Sequence, residues 1–597
     1  MKHLLLSTAA ATVMAGSPVF GQQTADLVIH NALVTTQALS IQGATAVAVV
    51  GNRIEAVGTN AEILELTDED TTVIDADGRR LIPGLNDGHV HAITGGMSYA
   101  LNVQWDGVPT LERALEMLAE QAARTPQGHW VKAIGGWSPH QFEERRYPTL
   151  DELNAAVPNH PYLVQHAYNV GFVNQIALDV LTEHAPFVFT HVPQTRWETD
   201  ADGKYTGVVY GEPTSWIFWI LEAVVPLTQG EETTLSMQHM FRDMNRFGIT
   251  SVSDGGTAEL HPHPERTTAV YDMDKSTVRL SFLEIPAEGV EASIETMAHD
   301  HPLAPGQNLH PELEGGFQFE GMGELLFASL QTLELVSDWE NFTQPIYSPD
   351  PDVIRGQMYA DVSKLTAAGM PFRVHATYNE TISPMLDAIE KVNAEIPLNG
   401  LRWSLEHAET ITPENIARVK ALGGAIGVQN RMAMHGDDFV ATNGLEMALT
   451  SPPMRAILDA GVPMSLGTDG LRASNFNPWT AMDWATTGRS VSGEVVLGEE
   501  NRLTREKALY AYTVGSAWHQ FQEEEKGRVT PGQLADMALL NADYFAVPDD
   551  QISSIQSVLT VMDGEVVYGA EEFEALSPEL PPALPEWAPI NFFSIYE

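Results

Sequence analysis

Short apolar runs and amphipathic stretches alternate along most of this chain. Near the start, Asp26-Leu27-Val28-Ile29, Ala46-Val47-Ala48-Val49-Val50 and Thr72-Val73-Ile74 are β-rich, and Gly51-Asn52-Arg53 reads as a hairpin turn. The far end has the same texture in Ala535–Leu540, Ser557–Val561 and Glu565–Tyr568, with a turn at Asp563-Gly564. These two ends predict one small β-sandwich assembled from both. Between them, strand-like runs alternate with helical patterns. The strands are expected at Leu81–His91, Ile249–Asp254, Val278–Glu284, Gly316–Glu320, Phe372–Ala376, Leu401–His407, Gly424–Gln429 and Pro463–Asp469. The helices include Leu235–Phe247, Ile354–Ala368, Ile382–Glu395 and Pro413–Leu422, three of them stopped by Gly248, Gly369 and Gly423. Eight strands alternating with helices argue for an α/β fold, a closed parallel (β/α)8 TIM-like barrel.

The long spacing between the first two strands, residues 97–246, predicts an inserted subdomain rather than a loop. It has a helix at Leu111–Ala123 capped by Thr110, and six of the twelve Trp: Trp105, Trp130, Trp137, Trp197, Trp216 and Trp219. The start, Met1-Lys2-His3 followed by the apolar run Leu4–Ala15 and Gly16-Ser17-Pro18, reads as a signal peptide cut near Gly21, and so as export to a compartment such as a bacterial periplasm. The expected organisation is a signal peptide at 1–21, sandwich strands at 22–83, and the barrel at 84–96 and 247–525. The lid-like insertion takes 97–246, returning sandwich strands 526–570, and a Pro-rich acidic tail 571–597.

Composition narrows the chemistry. Lys and Arg total 32 against 80 Asp and Glu, a formal net charge of −48, which argues against nucleic acid and anionic membrane surfaces as partners. After the first residues no apolar run reaches the ~18 needed for a membrane span. There is no Cys, which excludes disulfides, thiolate metal sites and a Cys nucleophile. A small-molecule substrate is the expected partner, and the chain is compatible with a homodimer.

The candidate chemistry sits at strand ends. His89-x-His91 closes the first barrel strand, where residues i and i+2 share a face and can point at one metal. A second such pair, His261-Pro-His263, lies in a Pro-flanked stretch and is expected to be inert. Strand five ends in His375, strand six in His407 and strand eight in Asp469, and the C-terminal rim of a barrel is where catalytic groups collect. His89, His91, His375, His407 and Asp469 offer nitrogen and oxygen ligands without sulfur, suited to Zn²⁺ and also to Mn²⁺ or Fe²⁺. Such a metal would bring the pKa of its bound water to about 7 and polarise a carbonyl. Asp469 would exchange the proton, with His407 as the second catalytic group. Glu406 is expected to face the other side of its strand as a structural residue.

Pro83-Gly84-Leu85-x-Asp87-x-His89-x-His91, the late His375 and His407, and Thr468-Asp469 resemble the amidohydrolase superfamily. Gly527-Arg528-Val529-x-Pro531-Gly532-x-x-Ala535-Asp536 resembles that superfamily's return to its sandwich. Gly135-Gly136-Trp137, Val173-Asn174-x-x-Ala177-Leu178 and Gly248-Ile249-Thr250-Ser251-Val252-x-Asp254 resemble the YtcJ-like branch, which includes N-substituted formamide deformylases. Many members carry a strand-four Lys that bridges two metals once carboxylated. Here no Lys occurs from 276 to 363, so Glu320, with Glu324 second, is the expected strand-four carboxylate for one or two ions. Two further departures, Tyr378-Asn379 after the strand-five His and Gln165, Ala167 and Asn169 before Val173-Asn174, bear on the metal count and the substrate. The resemblance implies hydrolysis of an amide-type C–N bond, N-acyl or N-formyl, in a small organic molecule. An esterase or lactonase on the same site is the alternative, then a hydrolytic deaminase, and a non-enzymatic binding protein last.

Overall fold

A computed structural model describes residues 24–211, 215–258, 276–286, 289–299, 304–309, 313–326, 328–329, 334–335, 350–398 and 400–593. The 1–21 segment and the His261-Pro-His263 pair lie outside them. The eight barrel strands are β1 (Leu85–Val90), β2 (Ile249–Ala258), β3 (Arg279–Ile285), β4 (Phe317–Met322), β5 (Phe372–Ala376), β6 (Trp403–His407), β7 (Ala425–Gln429) and β8 (Met464–Gly467). They lie in chain order, every neighbouring pair parallel. The backbone N–H groups of Thr468 and Asp469, just after β8, donate to the carbonyl of His89 in β1 at 3.1 and 2.8 Å, so the sheet curls shut at the mouth.

One boundary differs from expectation. The run Leu81–His91 is two strands. Arg80–Pro83 pairs with Met537–Leu540 in the sandwich, and the chain enters the barrel only at Leu85. Gly84 is the pivot, because a Cβ there would run into the side chain of Thr250 in β2.

The sandwich has one sheet of four strands, with Leu27–His30 and Ala46–Val50 at its centre, and one of five that joins Arg80–Pro83 to Met537–Leu540, Ser557–Met562 and Glu565–Gly569. Leu27, Ile29, Val47 and Val49 of the first pack on Leu81, Met537, Leu539 and Val561 of the second. The insertion after β1 folds around its own sheet, in the order Thr195–Thr199, Tyr205–Gly211, Val170–Val173, Tyr162–His166, Val131–Ile134. Trp105 and Trp137 fill one of its apolar clusters and Trp130 and Trp197 another. The tail packs on this insertion: Phe593 enters the first cluster, and the carbonyl of Trp587 accepts from Gln121 Nε2 at 2.9 Å. Among the described residues no helix is long and apolar enough to cross a membrane.

Candidate metal centre

Six side chains from five barrel strands converge at the mouth. His89 lies in β1 and His91 just after it, Glu324 two residues after β4, His375 in β5, His407 at the end of β6 and Asp469 two residues after β8. Nε2 of His91 is 3.1 Å from Oδ1 of Asp469 and 3.6 Å from Oε1 of Glu324. The other oxygen of Glu324 lies 3.1 Å from Nδ1 of His375, 3.1 Å from Nε2 of His407 and 3.7 Å from Nε2 of His89. Two overlapping triads, His89, Glu324, His407 and His89, His91, Asp469, each hold their ligand atoms within 4.8 Å of one another. Glu324 thus turns one oxygen toward His91 and the other toward His89, His375 and His407.

Backbone geometry aims these groups. His407 and Asp469 take φ of 79° and 54°, a region non-Gly residues seldom occupy. The turn at His407 also lets two consecutive residues face inward. Glu406 therefore does not face away from the site, as strand alternation leads one to expect. Its buried carboxylate accepts from Nδ1 of His89 at 3.1 Å, from Nε of Arg373 at 2.8 Å, from Ser404 at 2.6 Å and from Gln429 at 2.9 Å.

Glu320, the first expectation for the strand-four carboxylate, stands apart from the cluster. It accepts hydrogen bonds from Ser253 at 2.6 Å, from Ser281 and from Arg373 Nη1 at 3.1 Å. It faces the barrel interior, but at a lower level than Glu324: four residues at about 3.3 Å each separate the two along the chain. Arg373 ties this floor together, donating to Glu320, Glu406, Ser253 and the carbonyl of Gly88. Its signal in the sequence is its spacing, two residues before His375 on the same strand face. Asp87, also fully buried, accepts from Thr468 Oγ1 at 2.6 Å and from the backbone of His89 and Thr468, joining β1 to β8 behind the ligands.

The electrostatics suit a cation. Burial pushes the Asp469 carboxyl up, but the hydrogen bond to His91 and the nearby imidazoles outweigh it and hold it at about 2. Glu324 is likewise held well below the usual carboxylate range, burial being overcome by His89, His375 and His407. Nε2 of His89 and Nδ1 of His407 are buried and have no hydrogen-bond partner among the described residues. Nδ1 of His89 is taken by Glu406, so its Nε2 is the ring nitrogen that faces Glu324 and Asp469, at 3.7 and 3.8 Å. A ring nitrogen buried without a hydrogen-bond partner among the described residues and facing two carboxylates fits a divalent metal ion.

Beside the cluster lies a cavity of about 140 Å³ bordered by His91 and Glu324. The insertion supplies Tyr168, Trp219, Glu222, Ala223 and Leu227 to its wall. Other motif residues do structural work. The Asn174 side chain caps the helix Gln175–His184 by accepting from Ala177 N at 3.0 Å. Asp536 pairs with buried Arg279 at 2.8 Å between sandwich and barrel. Asn379 ties Asn415 and Thr412 at 2.8 and 3.2 Å, away from the ligands.

Comparison with known proteins agrees with this architecture. The N-substituted formamide deformylase of Arthrobacter pascens is 24% identical over 578 residues, spanning 92% of this chain and 99% of that protein. The Bacillus subtilis protein YtcJ is 24% identical over 514 residues, 84% of this chain and 91% of its own. Among solved structures, an uncharacterized metal-dependent hydrolase from Pyrococcus horikoshii OT3 shares the fold with a TM-score of 0.61 at 17% identity, covering 88% of this chain and 99% of that one. The model of the amidohydrolase family matches residues 72–568, from the sandwich through the insertion and barrel and back, and the chain belongs to that family.

Proposed function

We propose that this enzyme is a divalent-metal-dependent hydrolase that removes an N-formyl or N-acyl group from a small apolar amine. The observation that carries the reading is the buried, unpartnered Nε2 of His89, set among three further imidazoles and two ionised carboxylates at the barrel mouth. The deformylase relative supports the choice of bond. His89, His91, Glu324, His375, His407 and Asp469 would hold one or two ions, with Zn²⁺ the best match to a sulfur-free set. A bound divalent cation supplies Lewis acidity and acidifies water.

The remaining work falls to the chain. Asp469 is held ionised at the rim, placed to take a proton from the attacking water and return it to the amine nitrogen as the C–N bond breaks. Glu406 fixes the ring of His89, and Arg373 keeps Glu406 charged. The cavity beside Glu324 takes the apolar substituent and excludes water from it.

Metal analysis of purified protein, followed by a panel of N-formyl and N-acyl amines, esters and lactones, tests the reading. We expect about one or two zinc-like ions per chain. We also expect turnover of N-formyl or N-acyl amines, with kcat lower by at least about 100-fold in Asp469→Asn. Metal-loaded protein that is inert toward every amide in the panel would sink the proposal. We propose export as well, on the ground of the 1–21 segment. Cell fractionation with N-terminal sequencing checks it, and a mature protein that keeps Met1 in the cytoplasm would overturn it.

A further inference from the structure

The cavity beside the metal ligands contains one ion pair that the proposed chemistry does not use. Arg472, three residues beyond Asp469, reaches Glu222 on the insertion helix Ile217–Val224. Its Nε lies 2.7 and 2.5 Å from the two carboxylate oxygens of Glu222, its Nη2 meets the same group, and its Nη1 donates to Thr94 at 3.2 Å. Gln165 Nε2 adds a further bond to Glu222 at 3.2 Å. Both charged side chains are largely buried, 13% and 8% exposed, and both line the cavity.

His91, Thr94, Tyr168 and Glu324 give the wall further polar groups, and the rest of it is apolar. Met97, Trp219, Ala223, Leu227, Ile285 and Leu325 surround the pair. Apart from His91 and Glu324, which the proposed metal would engage, the charges on the lining are the guanidinium of Arg472 and the carboxylate of Glu222, and each already neutralises the other. An incoming carboxylate would have to displace Glu222 from Arg472 and leave it buried without its partner. It would also approach a protein of formal net charge −48, whose field repels anions. A neutral apolar group meets neither obstacle.

We infer that Glu222, by occupying Arg472, sets the charge selectivity of the substrate pocket, which takes neutral apolar substituents and refuses carboxylate-bearing ones. The inference rests on the proposed hydrolase reading for the identity of the substrate, but the discrimination is a property of binding and can be read without turnover. N-(2-phenylethyl)formamide and N-formylphenylalanine differ by a single carboxylate and serve as the probe pair. Their binding is measured by calorimetry on the Asp469→Asn protein once metal analysis shows that it holds as much zinc as the parent, or by competitive inhibition on the parent where it does not, and their hydrolysis on the otherwise unaltered enzyme.

The neutral probe is expected to bind at least about tenfold more tightly than the anionic one. Glu222→Gln frees Arg472 to pair with the ligand carboxylate, so the ratio should shift toward the anion by about tenfold or more. Arg472→Gln leaves Glu222 unneutralised, and the ratio should move the opposite way. Glu222→Asp should keep the original preference. A merely structural role would shift both ligands together in every variant. Equal binding of the two probes, a preference for the anion, or binding of neither in the parent overturns the inference, whether or not Glu222→Gln folds. An unchanged ratio in folded Glu222→Gln does the same. Should the neutral probe bind selectively and still not be hydrolysed, along with every other amide tried, the hydrolase reading falls and the selectivity stands.

Discussion

Glu406 touches His89 at Nδ1 and Arg373 at two nitrogens, so one buried carboxylate sets the ring's tautomer and the charge balance beneath it. Glu406→Gln would keep the shape but could present its N–H toward a ring nitrogen that needs an acceptor. We expect metal affinity to fall about 10–100-fold, read by competition with a chromophoric chelator, with the fold retained. Arg373→Met is the harsher change, because it strands two carboxylates in the interior. A loss of about 3–5 kcal/mol in denaturant unfolding is expected, and a change below 1 kcal/mol would contradict the role given to the residue. At this scale the convergence of His375, His407 and Asp469 on one mouth was legible in the sequence, since an apolar strand has no packing reason to end in such residues. Glu406 was not, because the alternation rule assumes extended backbone and His407 departs from it at φ 79°.

The elements explain why Glu324, the second expectation on strand four, joins the cluster while Glu320 does not. Alternation correctly turns Glu320 toward the barrel interior, but it carries no information about depth. Glu324 meets the cluster from two residues beyond the end of β4 at Met322, whereas Glu320, inside the strand, is taken by Ser253, Ser281 and Arg373. Gly323, at φ 139°, makes the turn that brings Glu324 in. The strands themselves were legible because each is a short apolar run bounded by polar ends. The pairing inside the insertion was not, because its sheet runs out of chain order and its apolar clusters draw on residues far apart in sequence. Of its six Trp, only Trp219 lines the cavity, carried there by the helix Ile217–Val224. Trp219→Ala removes apolar wall without touching a ligand. KM for an apolar formamide is expected to rise about tenfold with metal content unchanged, and loss of metal instead would show that the helix supports the centre rather than the substrate.

Across the whole molecule, the sandwich and the barrel are joined by buried charge as well as by apolar packing. Arg279 of β3 holds Asp536 and Asp563 of the returning sandwich strands, both at 2.8 Å. Lys526, at the same junction, donates to Ser251 of β2 and is fully buried apart from a 3% residue exposure. Burial, helped by the charge of Arg279 and only partly opposed by Asp536 and Glu320, brings its amine down to about 7. In the unfolded chain a Lys amine keeps its proton to about pH 10.4. Between those two values the unfolded state binds the extra proton, so stability contributed by this site rises with pH across that window and levels off below pH 7. Lys526→Met removes the titration while keeping most of the volume. The stability of the parent relative to Lys526→Met should therefore climb steadily as pH is raised from about 7 to about 10, followed by parallel urea unfolding of the two proteins. A difference that stays flat over that range would mean that the amine remains charged in the folded state, and that the junction solvates it far better than its surroundings indicate.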